Sequence, residues 1–440
     1  MVRLQIEAHP WQGVETIGIL RYDGIDTRCL NGLLASVHWV AAHAFSFHRS
    51  PSSMSSTIVF YQSSPQHLYG GQLDMLRFFQ HVDQDRLLPM VLAPAEGPFV
   101  DRVRDLGIAV EIMPLPEELA RTGGALLHGS AWDRIRQTAL LTPWSLRVAR
   151  WLHQSRAEAL YANNRRALLT LGLAAKMARI PLFWHIKQDQ DRGWMDTLAM
   201  HLMTYAGACS RDVQQAFRHR HPRHAHRIGY IPNGIPLDHF RRPGGTMRAV
   251  LGIPPDAPVV GLVGSITPRK GVDVFIEVAL RLAEAFPNVH FLVAGDAPTT
   301  YLDYKTRMIS LARPLLETGR FHATGWLEDM PALYRTLDVL VMPSRVEGFG
   351  LVIIEAAAAG VPAVRSASGG HTETTLDGQT GFVAPIDDVD AFTERVSQLL
   401  ADDALRRRMG RAARDYVLQH FGIQPFVDAL TVALLAIRKK

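Results

Sequence analysis

Cysteine is nearly absent from this chain. Its 440 residues hold only two, Cys29 and Cys209. They are too few and too far apart for a disulfide framework, so the sequence reads as a protein of a reducing compartment, and a cytoplasmic one is expected. Long apolar runs are missing too. The nearest, Leu33 to Phe47, is interrupted by His38 and His43 and falls short of a membrane span. No apolar segment follows Arg3 in MVRLQIEAHPWQG, so this start does not read as a signal peptide. Zinc-finger spacing and aromatic-rich RNA motifs are absent, and nucleic acid is not an expected partner. No strand is followed by G-x-G-x-x-G, which disfavours a dinucleotide fold. The histidine-rich HRHPRHAHR (219–227) matches no common metal spacing, and Pro222 breaks its helical register; no metal site is predicted there. The pairs Asp83–Asp85 and Asp189–Asp191 form a loose D-x-D without strand-end context.

What is present is a globular composition, 47% hydrophobic and 20% charged, in a length that suits two or three domains. Net charge is +5 and the sequence pI about 9.3. An anionic small substrate and an anionic membrane surface both fit that balance, which leaves peripheral membrane association open. RRRMGRAAR (406–414) reads first as a solvated helix face.

The first fifty residues show no sustained period, and SPSSMSS (50–56) resembles a linker. Residues 1–53 are therefore expected to be a dispensable extension, with Met54 as an alternative start. From 57 the pattern alternates. Strands are predicted at 57–62, 88–94, 108–114, 159–164, 181–187, 207–210 and 226–233, with helices between them, including ones near 142–155 and 194–206. PNGIPLDHFRRPGG (232–245), rich in Pro and Gly, marks a boundary. A second series follows, with strands at 258–265, 288–296, 321–326, 338–344, 362–367 and 381–385. Short strands alternating with longer helices mean βαβ units and parallel sheets. The expected fold is α/β: two Rossmann-like, doubly wound domains, 54–235 and 236–415, facing a central cleft. A last helix, in 416–440, completes the chain.

Four segments carry candidate chemistry. PSRVEGFGLVIIEAAAAG (343–360) runs from a buried strand through a turn into a helix, with Glu347 in the turn and Glu355 in the helix. The helix start offers unpaired N–H groups and a positive dipole end, and Gly348 and Gly350 allow close backbone approach. The two carboxylates suit hydroxyls rather than phosphates. SITPRKG (265–271) places Arg269 and Lys270 after the first strand of the second half, where adjacent cations could neutralise a diphosphate without a metal; a solvated basic turn would look the same. LYGGQ (68–72) puts Gly70 and Gly71 before a helix, a weak signal by itself. His185 ends a strand of the first half, and a buried structural histidine reads the same way. SASGGHTETTLDGQTGFVAP (366–385) adds Gly369, Gly370 and Glu373.

On these residues the chain resembles glycosyltransferase family 4, the glycosyl transferases group 1, of GT-B architecture. The likeness covers about 57–440 and is strongest over 258–385. Glu347-Gly348-Phe349-Gly350 through Glu355 is similar to that family's E-x7-E signature, GSITPRKG to its arginine–lysine phosphate segment, and PNGIPLDHF to its interdomain stretch. The resemblance implies transfer of a sugar from a nucleotide-diphosphate donor, with retention, to a saccharide, lipid-linked or small-molecule acceptor. The first domain would take the acceptor and the second the donor. Neither a cofactor nor an essential metal is implied. Arg269 and Lys270 would hold the diphosphate, Glu347 the sugar hydroxyls and Glu355 the ribose. The backbone of Gly348, Phe349, Gly350 and Leu351 would line sugar and phosphates, with Gly264 beside them. Gly70 and Gly71 would close over the donor, and His185 would sit near the reacting centre. Here the chain departs from the family: His185 is followed by Ile186 and Lys187, where His-Asp is usual. The last helix is expected to pack back on the first domain. A nucleotide-sugar 2-epimerase of similar architecture is the main alternative, and a non-catalytic subunit that binds nucleotide sugar is another.

Overall fold

The computed structural model describes residues 55–66, 68–121, 130–189 and 193–439. The extension 1–53, Met54 and Cys29 lie outside the described residues. The described residues form one compact unit.

The first sheet contains β1 (Ser56–Tyr61), β2 (Leu87–Ala93), β3 (Ala109–Ile112), β4 (Ala159–Ala162), β5 (Leu182–Ile186), β6 (Tyr205–Ala208) and β7 (Ile228–Tyr230). All pair in parallel, in the order β3-β2-β1-β4-β5-β6-β7. The second contains β8 (Val259–Val263), β9 (His290–Ala294), β10 (Phe321–Gly325), β11 (Val339–Met342), β12 (Ala363–Ser366) and β13 (Gly381–Ala384). It is parallel too, in the order β10-β9-β8-β11-β12-β13. Helices cover both faces, so central strands such as VVGLV of β8 are buried throughout and read as unbroken apolar runs. Each strand order reverses once, between β1 and β4 and between β8 and β11. The crevice beyond the carboxyl ends at such a reversal is where ligands bind in open α/β sheets. LYGGQ leaves β1, SITPRKG leaves β8 and the Glu347 turn leaves β11, so three of the four candidate segments meet at the two reversals.

Two local expectations change. The helix expected near 142–155 begins eleven residues earlier and spans Ala131–Gln154, with Pro143 inside it. Ser130 and Asp133 form a reciprocal cap at its start. Pro143 is exposed, so the carbonyl that loses its helical partner can turn to water. The helix expected near 194–206 stops at Leu202, because Tyr205–Ala208 already pairs with β5.

The chain crosses between the halves twice, at one place. Ile235 donates its N–H to the Phe421 carbonyl at 3.0 Å and bridges to Gly422. A Cβ on Gly234 would lie 2.3 Å from the Gly422 carbonyl oxygen, so the crossings are pressed together. Beyond the second crossing, helix Ile423–Ile437 lies on helix Gly70–His81 and β4. Its Phe426, Val427, Leu430 and Leu434 share a core with Phe60, Phe78 and Phe183 of the first half.

Candidate active site

The site begins with the turn after β8. Gly271 has a φ of +67°, and a Cβ there would meet the Pro343 carbonyl oxygen at 2.1 Å, so only glycine lets this turn lie against the strand-end of β11. Arg345 clamps the same contact. It grips Asp273 with two nitrogens, at 2.7 and 3.0 Å, and the Pro268 carbonyl at 2.6 Å, while its own N–H donates to the Arg269 carbonyl. Arg269 and Lys270 are thereby fixed beside Glu347. Lys270 Nζ lies 2.5 Å from Glu347 Oε2, and Arg269 donates to the Val346 carbonyl at 2.9 Å and stands 4.0 Å from Glu347. Burial pushes the Glu347 carboxyl up, but the two cations outweigh it and bring its pKa down to about 2. Two cations face one carboxylate, so the corner keeps a surplus positive charge.

Helix Leu351–Ala358 points its start into this corner. Gly350, at φ +93°, leads into it, and the helix has neither a side-chain cap nor an acidic residue in its first turn. The N–H groups of Leu351 and Val352 lead the helix with no backbone partner among the described residues, while that of Ile353 donates to the Gly350 carbonyl, so the helix start can receive an anion. One turn further in, Glu355 accepts from Arg77 Nη2 and from the Tyr334 hydroxyl, both at 2.7 Å. Arg77 belongs to the helix after β1, so this ion pair spans the cleft. It continues a polar chain along the first-half wall: Asp74 lies 4.0 Å from Arg77 and accepts from Lys187 Nζ at 2.8 Å, and Lys187 also reaches Asn233 at 2.9 Å. Arg77 Nη1 is buried and has no hydrogen-bond partner.

The cleft has a volume of about 1230 Å³, roomy beside the few hundred to a thousand Å³ usual for ligand sites. Ten of the expected residues line it: Gly70, Gly71, Gly264, Arg269, Lys270, Glu347, Phe349, Gly350, Leu351 and Glu355. Two do not. His185 is fully buried, with Nδ1 on the Tyr161 hydroxyl at 2.8 Å and its ring among Tyr161, Phe183 and Phe426. It shares a sheet face with Phe183, two residues back, and that face is covered by helix Ile423–Ile437. Burial and Lys187 push its pKa well down, which suits a neutral core histidine. The side chain from this strand end that reaches the cleft is Lys187. Gly348 likewise makes room for protein, not ligand. A Cβ there would sit 1.8 Å from the Lys187 carbonyl oxygen, so glycine lets the two halves touch.

Sequence reasoning missed Arg365 and Trp326, and it singled out Glu373 without its role. Arg365 is fully buried in β12 and donates to the carbonyls of Phe349, Ser368, Gly369 and Gly370 and to the Thr374 hydroxyl, tying the Glu347 turn to the SASGGHTE loop. An arginine inside a run otherwise read as buried strand was the available signal. Glu373 takes a hydrogen bond from the Tyr230 hydroxyl at 2.7 Å and one from the Arg211 N–H at 2.5 Å, and so braces the halves instead of facing the cleft. Trp326, after β10, stands edge-on to Tyr69 across the cleft at 5.8 Å. Among the described residues no three His, Cys, Asp or Glu side chains converge on a metal-sized site, and no helix is long and apolar enough to cross a membrane.

Comparison with known proteins agrees with this geometry. Residues 245–416 match the family model for glycosyl transferases group 1. The GDP-mannose-dependent alpha-(1-6)-phosphatidylinositol monomannoside mannosyltransferase of Mycolicibacterium smegmatis is 36% identical over 207 residues, 44% of this chain and 52% of that protein. A D-inositol 3-phosphate glycosyltransferase of Corynebacterium urealyticum is 29% identical over 328 residues, 70% of this chain and 72% of that protein. For most of the curated relatives it matches, the chain spans about half their length. Among solved structures, Anabaena HepE in complex with UDP and glucose superposes with a TM-score of 0.71 at 23% identity, covering 85% of this chain and 97% of that one, a likeness of fold. The second half therefore carries a glycosyl transferases group 1 domain, and the two halves together have the GT-B fold.

Proposed function

We propose that the protein transfers a hexose from a nucleotide-diphosphate sugar to a saccharide or lipid-linked acceptor, in the making of a polysaccharide or glycoconjugate. The observation that carries this is the corner of Arg269, Lys270 and the uncapped start of helix Leu351–Ala358, with a hydroxyl-accepting carboxylate on either side. When the bond between sugar and diphosphate breaks, negative charge grows on the leaving oxygens. Fixed cations and helix N–H groups stabilise it without rearrangement, and removing one such donor costs a factor of about 10²–10³ in rate. Positive charge grows on the ring, where Glu347 is held ionised. Glu347 meets the sugar and Glu355 the ribose. Trp326 and Tyr69 offer flat surfaces to the base. A GDP-sugar is favoured by the mannosyltransferase relative, and a UDP-sugar by the fold neighbour crystallised with UDP.

In this reading residues 54–235 take the acceptor and 236–415 the donor, the segment 416–440 with its helix Ile423–Ile437 completes the first domain, and 1–53 is dispensable. Transfer proceeds with retention, without cofactor or metal. The protein works in the cytoplasm at the inner membrane face, where lipid-linked acceptors lie.

Purified protein given GDP- and UDP-sugars, with and without acceptor lipids or saccharides, tests the proposal. Acceptor-dependent release of nucleoside diphosphate, reduced at least a hundredfold in Arg269→Ala, is expected. Conversion of the donor sugar with no acceptor present would point to a 2-epimerase. Absence of turnover and of nucleotide binding would leave a non-catalytic subunit. The anomeric proton of the product reports retention or inversion.

A further inference from the structure

Helix Ala131–Gln154 has two apolar faces. The inner one carries Leu141, Trp144, Val148 and Leu152 in the core of the first half. The outer one is exposed. Trp132 is 79% exposed, Ile135 59% and Leu146 43%, and Ala139 and Pro143 between them are exposed as well. At about 100° per residue these five fall within roughly 80° of arc, a stripe about 21 Å long. Exposed Arg136 and Arg147 flank one side of it, and exposed Arg150 continues its line. The nearby carboxylates of Asp133 and Glu118 are already engaged, with the helix cap and with Arg136.

The stripe has a direction. Only four residues join the end of this helix to β4, so the helix runs antiparallel to the strand and its start lies at the cleft end of the sheet. Trp194 opens the helix that follows β5, is 45% exposed, and lies under the Arg134 guanidinium at 5.2 Å. Two tryptophans and an isoleucine thus stand on the side of the first half where its strands end, with arginines behind them. Tryptophan beside arginine on an outward apolar face is the chemistry of an element lying in a bilayer interface. An anionic leaflet adds attraction of about fivefold for each arginine near it.

We propose that this face of helix Ala131–Gln154, together with Trp194, docks the protein on an anionic lipid surface and presents the cleft mouth to an acceptor held there. This rests on the reading of the protein as a transferase for a lipid-linked acceptor. The rival basic face, Arg407, Arg408 and Arg411 on helix Asp403–His420, has no comparable apolar stripe.

Vesicle sedimentation tests it directly. The full chain should bind phosphatidylcholine vesicles containing 30% phosphatidylglycerol, bind pure phosphatidylcholine at least tenfold more weakly, and release with salt. Trp132→Ser/Ile135→Ser/Leu146→Ser should weaken binding tenfold or more. Arg147→Gln/Arg150→Gln should flatten its salt dependence. Arg407→Gln/Arg408→Gln/Arg411→Gln should bind as the parent does. All replaced side chains are exposed, and unchanged melting points and nucleotide binding confirm that the variants fold. Three results would overturn the proposal: a parent that ignores anionic vesicles, an apolar triple variant that binds normally, or loss of binding in the Arg407 variant. A parent dimer that the apolar variant splits would assign the stripe to a second copy and overturn it as well. Vesicle binding needs no donor, so its failure leaves the transferase reading intact. Conversely, Arg269→Ala should lose nucleotide while still sedimenting.

Discussion

Removing Arg77 should loosen the molecule across its cleft by an amount that the structure bounds. Arg77 and Glu355 pair at 2.7 Å, with side chains only 14% and 8% exposed, and each comes from a different half. Burial works against the guanidinium charge, but Glu355 and Asp74 overcome it and raise the Arg77 pKa. Breaking such a pair from one side strands the other charge and costs about 3–5 kcal/mol when burial is complete. Glu355 keeps its bond to Tyr334, and the cleft admits water, so Arg77→Met should sit at the low end, about 3 kcal/mol. For a cooperative unit of this size that corresponds to a fall in melting temperature of roughly 3–4 °C. Glu355→Gln should cost less, because it keeps a polar partner for Tyr334 and leaves Arg77 near Asp74. The double variant should be less destabilised than the sum of the singles by about 1–3 kcal/mol. Urea unfolding of all four proteins, followed by fluorescence, measures that coupling. A coupling below about 0.5 kcal/mol would show the pair to be a surface contact and refute its part in joining the halves.

Three further outcomes follow from the same geometry. In Gly348→Ala the new methyl must displace the Lys187 carbonyl, so turnover should fall by at least tenfold and the scattering radius should grow, while nucleotide still binds; unchanged turnover would show that the contact yields easily. Glu347 has its pKa depressed from 4.5 to about 2, so its stabilising pairing is complete above pH 4.5 and is lost as pH falls toward 2; stability should drop by about 3 kcal/mol across that window in the parent and less in Glu347→Gln, as read by denaturant midpoints against pH. Burial pushes the Cys209 thiol up to about 12, so in a Cys29→Ser background it should resist a thiol reagent at pH 8 until the protein is unfolded; rapid labelling of the folded protein would contradict its burial.

The second half was legible because its signals are local. Most strands of its sheet are short apolar runs between turn residues, and the chemistry sits after strand ends, at Arg269, Lys270, Glu347 and Gly350. A sequence shows that juxtaposition without showing the sheet. What it could not show is which side a strand-end residue faces. His185 and Lys187 lie on one strand end, and the choice between them depends on helix Ile423–Ile437, which covers the face bearing His185 and lies more than two hundred residues away. Gly348 was misread for a related reason: a glycine that admits a ligand and one that admits a neighbouring carbonyl look alike until the neighbour is placed. Pro143 hid the first eleven residues of the 131–154 helix, because proline is welcome in a first turn and tolerated inside only where the freed carbonyl meets water.

The contacts that join the halves are the ones a donor would have to negotiate, and they are unevenly placed. Gly348 meets Lys187, Glu355 meets Arg77, and Glu373 meets Tyr230 and Arg211. None of these occupies Arg269, Lys270 or the start of helix Leu351–Ala358, so a diphosphate can enter its corner without breaking an interdomain bond. The ribose cannot enter so freely. Each Glu355 oxygen already accepts one hydrogen bond, and a sugar hydroxyl must either take the second lone pair or displace Arg77. If it displaces Arg77, that guanidinium is released toward Asp74, which already holds Lys187, and the first-half wall rearranges from Arg77 to Asn233. Diphosphate alone should then bind with the halves as they stand, whereas the full nucleotide should shift the environment of Lys187. Amide exchange around Lys187 and Asn233, compared between pyrophosphate and nucleoside diphosphate, separates the two modes of entry: equal protection with both ligands would mean that Glu355 accommodates the ribose without releasing Arg77.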